Sequence, residues 1–219
     1  MDIISTLQPG AVIFILVGVT FLGGAIGSFL NVVIYRLPVG QSLIRPPSHC
    51  PRCEHPIRPY DNIPVFGWLL LRGKCRDCGE PISARYPVIE AIVAVMFLVV
   101  VWVEWFGLKS PWAFPMNAVA ANPDLATAGS GPSFLLVAVR TVAHLVLLVT
   151  LLGAGMIEWD QKRVPRSIWY PAIVTSVSWW LILMVLGRAG MSELFLASVL
   201  AGVGGGGFIF LIDKLRIKV

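Results

Sequence analysis

Long apolar runs separated by short, basic connections dominate the chain. Five runs approach or exceed the roughly 20 residues needed to cross a bilayer as a helix: residues 10–35, 86–106, 133–157, 168–186 and 193–212. The pattern predicts an all-α integral membrane protein with about five transmembrane helices. The first run follows Asp2 in place of a basic stretch and is too long for a signal-peptide core, so it reads as a retained helix. One segment breaks the pattern. Between residues 36 and 85 periodicity disappears and turn formers crowd in, among them Pro46, Pro47, Pro51, Pro56, Pro59 and Pro64. A loop of this kind cannot build a conventional core, so a metal staple is physically reasonable. Within it, Val65 to Leu71 is apolar; it either packs over the staple or lies in the membrane interface. Residues 107–132 read as a Pro/Ala/Gly/Ser-rich linker. No internal repeat is evident. The expected division is 1–35 as the first transmembrane helix, 36–85 as the loop, and 86–219 as the remaining helices.

Composition agrees, with 57% hydrophobic and 13% charged residues. The distribution of basic residues adds orientation. Fourteen of the 17 Lys and Arg fall in the 36–85 loop, the 158–167 connection and the C-terminal tail. By the positive-inside rule these segments are cytoplasmic and the N-terminus is outside. The net charge of +5 then reflects topology and attraction to anionic lipid, and nucleic acid is not an expected partner.

The only four cysteines are two Cys-x-x-Cys pairs in that loop, Cys50/Cys53 and Cys75/Cys78. Two thiolate pairs complete a tetrahedron, and Zn²⁺ favours such an all-sulfur set. The competing reading, disulfides or idle thiols, conflicts with a reducing cytosol. A closed four-thiolate site has no open coordination position, so the metal is structural.

Ionisable groups at membrane depth are functional by default. Arg140 and His144 share a helical face; Arg140 can snorkel, while His144 is equally a functional group or a hydrogen-bonded core histidine. Glu90, Glu158, Asp160 and Asp213 fall at cytoplasmic ends of spans. Gly23, Gly24 and Gly27, and the Gly202–Gly207 region, are expected to permit close helix packing.

Several motifs occur in order: Gly27-Ser-Phe-Leu-Asn-Val-Val-Ile-Tyr-Arg-Leu-Pro38, Cys50-Pro-Arg-Cys53, Ile57-Arg-Pro-Tyr-Asp-Asn-Ile-Pro64, Arg72-Gly-Lys-Cys-Arg-Asp-Cys78 and Arg85-Tyr-Pro-Val-Ile-Glu90. This series resembles the bacterial prepilin leader peptidases, most specifically over residues 23–95. The resemblance implies a membrane aspartic endopeptidase of the bacterial inner membrane. Such enzymes cut the leader from type IV prepilins or type II secretion pseudopilins, then N-methylate the new terminus with S-adenosylmethionine. It also implies that the zinc loop is methyltransferase-associated. The 36–85 loop is assigned the S-adenosylmethionine by elimination, as the one region large and polar enough.

The peptidase step needs two carboxylates from different helices. The family's first catalytic Asp lies seven residues before a Pro; here Glu158 holds that place relative to Pro165, with Asp160 as the second candidate. The other Asp belongs to a Gly-x-Gly-Asp motif that does not occur through Val219, so a truncated or peptidase-deficient form is expected. Asp213 reads as a helix-end charge. The alternative function is a non-proteolytic zinc-binding membrane module, acting as methyltransferase or as a pilin or secretion assembly partner.

Overall fold

The computed structural model describes residues 8–106 and 134–185, whose regular elements are all helices, with no extended strands. Helix α1 spans Pro9–Arg36 and begins with a proline in its first turn, where the missing N–H costs nothing. The short α2 covers Phe66–Leu70, α3 covers Arg85–Phe106 and α4 covers Phe134–Trp159. Among the described residues three helices are long and apolar enough to cross a membrane: Pro9–Val39, Arg85–Trp105 and Ala138–Trp159. The protein is a multi-pass membrane protein. The expected fourth span opens as a single-turn 3₁₀ helix at Arg166–Trp169. Its helix, α5, covers Tyr170–Val185 and belongs to a second unit starting at Tyr170. The expected fifth span, the 107–132 linker, Asp213 and the Gly202–Gly207 region lie outside the described residues.

Helices α1 and α3 run antiparallel, and the α1 glycines set their spacing. A Cβ on Gly23 would lie 2.9 Å from the Ala94 Cα, and one on Gly27 would lie 2.8 Å from the Glu90 Cα. In lipid there is no hydrophobic drive between helices, so close backbone approach supplies the attraction through dispersion. The expectation of a glycine packing face on α1 therefore holds. Asn31 extends the same seam, its Nδ2 donating to the Tyr86 carbonyl at 3.2 Å. Helix α4 closes the core, with Leu30, Ile34, Ile89, Val93 and Ile157 buried together.

The end of α4 is sharply defined. The Lys162 N–H donates to the Ile157 carbonyl and the Gln161 N–H to the Glu158 carbonyl, with Gln161 left-handed at φ 54. These are the paired bonds of a Schellman cap, followed by Pro165. Glu158 is therefore still helical, whereas Asp160 has left the helix.

Candidate metal centre and the carboxylates beside it

Each cysteine pair occupies the same small turn. The Cys50 N–H donates to the His55 carbonyl, and Glu54, just after the pair, is left-handed at φ 58. In the second pair the Cys75 N–H donates to the Glu80 carbonyl, and Gly79 is left-handed at φ 74. Isolated bridges His49–Pro56 and Lys74–Pro81 close the two turns at equivalent positions. The loop thus contains a short structural repeat, which the expectation of no repeat missed. Its sequence signal is slight: a Cys-x-x-Cys-x-x-Pro pattern at residues 50–56 and 75–81.

The repeat faces its sulfurs together. Cys50 Sγ lies 3.7 Å from Cys78 Sγ and Cys53 Sγ lies 3.9 Å from Cys75 Sγ. All four sulfurs lie within 4.8 Å of one another. Disulfides require about 2.05 Å, so the cysteines are free thiols. Zinc–sulfur bonds of about 2.3 Å place tetrahedral sulfurs about 3.8 Å apart, and the crossed Cys50–Cys78 and Cys53–Cys75 distances fit that spacing.

The electrostatics of the cluster point the same way. The Cys53 and Arg52 backbone N–H groups lower the Cys50 thiol to about 6. For Cys78 the Glu80 backbone N–H pulls downward. Desolvation and the neighbouring sulfurs outweigh it, pushing that thiol up to about 12. Four sulfurs this close cannot all ionise alone; a divalent cation would discharge the mutual repulsion. The donor set and its spacing fit a metal of the zinc type.

Ion pairs tie the first half of the loop to the second. Arg76 grips Asp61 through two bonds, 2.8 and 2.5 Å, and lies over the Tyr60 ring. Arg58 pairs with Asp77 at 2.9 Å and Arg52 with Glu80 at 3.1 Å. The Arg76 hydrogen bonds hold the Asp61 carboxyl below the usual carboxylate range.

The loop then feeds α3, and here it reaches the α4 terminus. Arg85, the first residue of α3, donates to both oxygens of Asp160, at 2.7 and 3.0 Å. Lys162 approaches the same carboxylate at 3.8 Å and lies over the Tyr35 ring of α1. The three helix ends are thereby joined at the end of the bundle carrying the cysteine loop. The Arg85 hydrogen bonds lower the Asp160 pKa against some desolvation. Glu158, two residues earlier, is exposed.

Residues 21–104 match the bacterial peptidase A24 N-terminal domain. A prepilin leader peptidase/N-methyltransferase of Myxococcus xanthus (strain DK1622) is 51% identical over 157 residues, covering 72% of this chain and 38% of the relative. Over this region the chain is similar to the prepilin leader peptidases. A type 4 prepilin-like proteins leader peptide-processing enzyme of Escherichia coli O78:H11 (strain H10407 / ETEC) is 43% identical, covering 45% of this chain and 42% of the relative. A prepilin leader peptidase/N-methyltransferase of Neisseria gonorrhoeae is 41% identical, covering 47% and 43%. The chain thus spans less than half the length of these relatives. No solved structure matches it.

Other polar contacts escaped the sequence reading. Glu104, on α3, is half-buried between α4 groups: Arg140 at 3.3 Å, Thr141 at 2.7 Å and His144. Arg140 and His144 are therefore partners of one carboxylate, and the snorkelling reading of Arg140 gives way to an interhelical pair. The signal was available in principle, an acid on one span facing an Arg/His face on the next. It needed the register between the two helices.

Proposed function

We propose that this chain acts as a membrane-embedded prepilin-processing protein. In this reading the cysteine loop binds structural Zn²⁺ and sits on the cytoplasmic side of a bacterial inner membrane. Type IV prepilins or pseudopilins are its substrates. The observation that carries the proposal is the Arg85–Asp160 pair, which fixes the α4 terminus to the helix leaving the cysteine loop. Chemistry at position 158 and recognition by the loop can then act on one extended substrate segment.

Glu158 is the stronger candidate for the peptidase carboxylate. It retains the spacing to Pro165 and lies exposed on the last helical turn, where it can meet a water and a peptide. A general base needs an accessible lone pair, with a second, protonated carboxyl to polarise the carbonyl. Asp160 suits positioning better, because Arg85 engages both of its oxygens and keeps it ionised. Glu is one methylene longer than Asp, and a misplacement of about 1 Å can cost on the order of 10²-fold in rate. Bound zinc would supply only a rigid frame, held by Cys50, Cys53, Cys75 and Cys78. S-adenosylmethionine, if used, would be held by the polar 36–85 loop.

Incubating the membrane-reconstituted chain with a prepilin and following leader loss by mass tests the peptidase half. Little cleavage is expected, and none from Glu158→Ala. Efficient, pepstatin-insensitive cleavage abolished by Asp160→Ala but untouched by Glu158→Ala would reverse the assignment. Equilibrium binding of S-adenosylmethionine, compared with Cys50→Ser, tests the other half. Absence of binding in both proteins would remove the methyltransferase reading.

A further inference from the structure

The apolar stretch between the two cysteine pairs makes its contacts with the long helices through its first residues. Its tip reaches into the seam between α1 and α3. Pro64 packs on Gly24, where an added Cβ would lie 3.0 Å from the Pro64 ring and 4.0 Å from Ala94. The Val65 N–H donates to the buried Glu90 carboxylate at 2.7 Å. Ala94 lies nine residues into α3, about 13 Å along a helix from Arg85 at roughly 1.5 Å per residue. The Pro64–Val65 tip thus meets α3 at Glu90, within the Arg85–Trp105 stretch that is long and apolar enough to cross a membrane.

The chain then climbs back. The Trp68 indole N–H donates to the Ile82 carbonyl at 2.9 Å, three residues before α3 begins. That is the interfacial level where indole rings are favoured. Gly67 makes the fold-back possible, because a Cβ there would lie 2.1 Å from the Asp61 carbonyl oxygen. What remains outward is one apolar face. Ile63 is 37% exposed, Phe66 61%, Leu69 54% and Leu70 74%, with no charge between Asn62 and Arg72. Exposed Arg72 and Lys74 follow at once, suited to anionic headgroups.

We propose that residues 62–71 form a re-entrant hairpin whose Ile63, Phe66, Leu69 and Leu70 face is seated in lipid, latched by Glu90. The occupant is lipid because the hairpin tip packs on α1 and α3, two membrane-length helices that carry exposed apolar side chains of the same kind, including Phe21, Leu22, Val88 and Ile92. Such a patch in water would be a liability, whereas in the interface it anchors. The hairpin holds the cysteine loop down on the bilayer surface, independently of any enzymatic reading.

The test replaces single exposed residues with a benzophenone amino acid in the full chain, in phospholipid nanodiscs, and weighs the adducts after illumination. Positions 66 and 70 should give lipid adducts within about threefold of position 147 on α4, and about tenfold above position 52 on the cysteine turn, as insertion to acyl depth requires. Yields at 66 and 70 no better than at 52, with 147 labelling normally, would overturn the proposal. Adducts to a second copy of the chain in place of lipid would also overturn it. With position 147 unchanged, Glu90→Leu should lower the lipid adducts at 70, while Glu90→Gln, which can still accept the Val65 N–H, should keep them. Equal yields in the two Glu90 variants would remove Glu90 as the latch.

Discussion

Arg85 and Asp160, 75 residues apart, form a two-pronged ion pair that joins the start of α3 to the turn after α4. Guanidinium geometry matters here, because a lysine offers a point charge and cannot bridge both carboxylate oxygens. Arg85→Lys should therefore lower the thermal midpoint of the detergent-solubilised protein nearly as far as Arg85→Ala. Differential scanning fluorimetry checks it, and full retention by the lysine variant would mean that charge alone suffices.

The same pair gives a pH signature. Arg85 depresses the Asp160 pKa, so the unfolded chain takes up this proton at a higher pH than the folded one. The stabilisation is fully present above the unfolded value of about 3.9, and it is lost as pH falls through the depressed folded value. Wild type and Asp160→Asn should differ in thermal midpoint at pH 6 and converge below that folded value. A difference that instead grows on acidification would contradict the linkage.

Metal content should be about one zinc per chain, as one four-thiolate site requires, measured by elemental mass spectrometry on protein purified without added metal. Cys50→Ser or Cys75→Ser should lose most of it. Stripping the metal with a strong chelator should expose the 36–85 loop to trypsin while the helices stay protected. Undiminished zinc in both variants would place the metal elsewhere.

Gly67 and Gly155 offer a matched contrast. Alanine at 67 drives a methyl into the Asp61 backbone carbonyl, which cannot give way as a side-chain end would. A loss of about 1–3 kcal/mol is expected for such overpacking. Alanine at 155 meets nothing within 4 Å in the helical α4, so it should be neutral or gain up to about 1 kcal/mol. Equilibrium unfolding in mixed micelles separates the two.

The four-cysteine cluster was legible in the sequence because four cysteines in two short turns carry their geometry locally. Helices α1, α3 and α4 were legible because a bilayer demands uninterrupted apolar length. Glu104 was not, because its role depends on the rotation and register of α3 against α4, which no local pattern encodes. Asp160 was visible as a carboxylate, but its capture by Arg85 was not, since the two meet only after α1, α3 and α4 have packed. The contact that bears on Val65–Leu71, the N–H of Val65 on Glu90, was not legible either. Hydrophobicity alone suits both packing over the staple and lying in the membrane interface.

The crossed ion pairs of the cysteine loop have a consequence for how the loop meets charged partners. Arg52, Arg58 and Arg76 are each matched to an acid from the opposite half of the loop. The loop thus carries much of its own counterion atmosphere. Its field in solution is weaker than its arginine count implies. Moderate salt should slacken the exposed Arg52–Glu80 clasp before it disturbs Asp61, whose carboxylate is only 7% exposed beneath Arg76. Ionic strength would then act on the loop as a graded loosening from its rim inward.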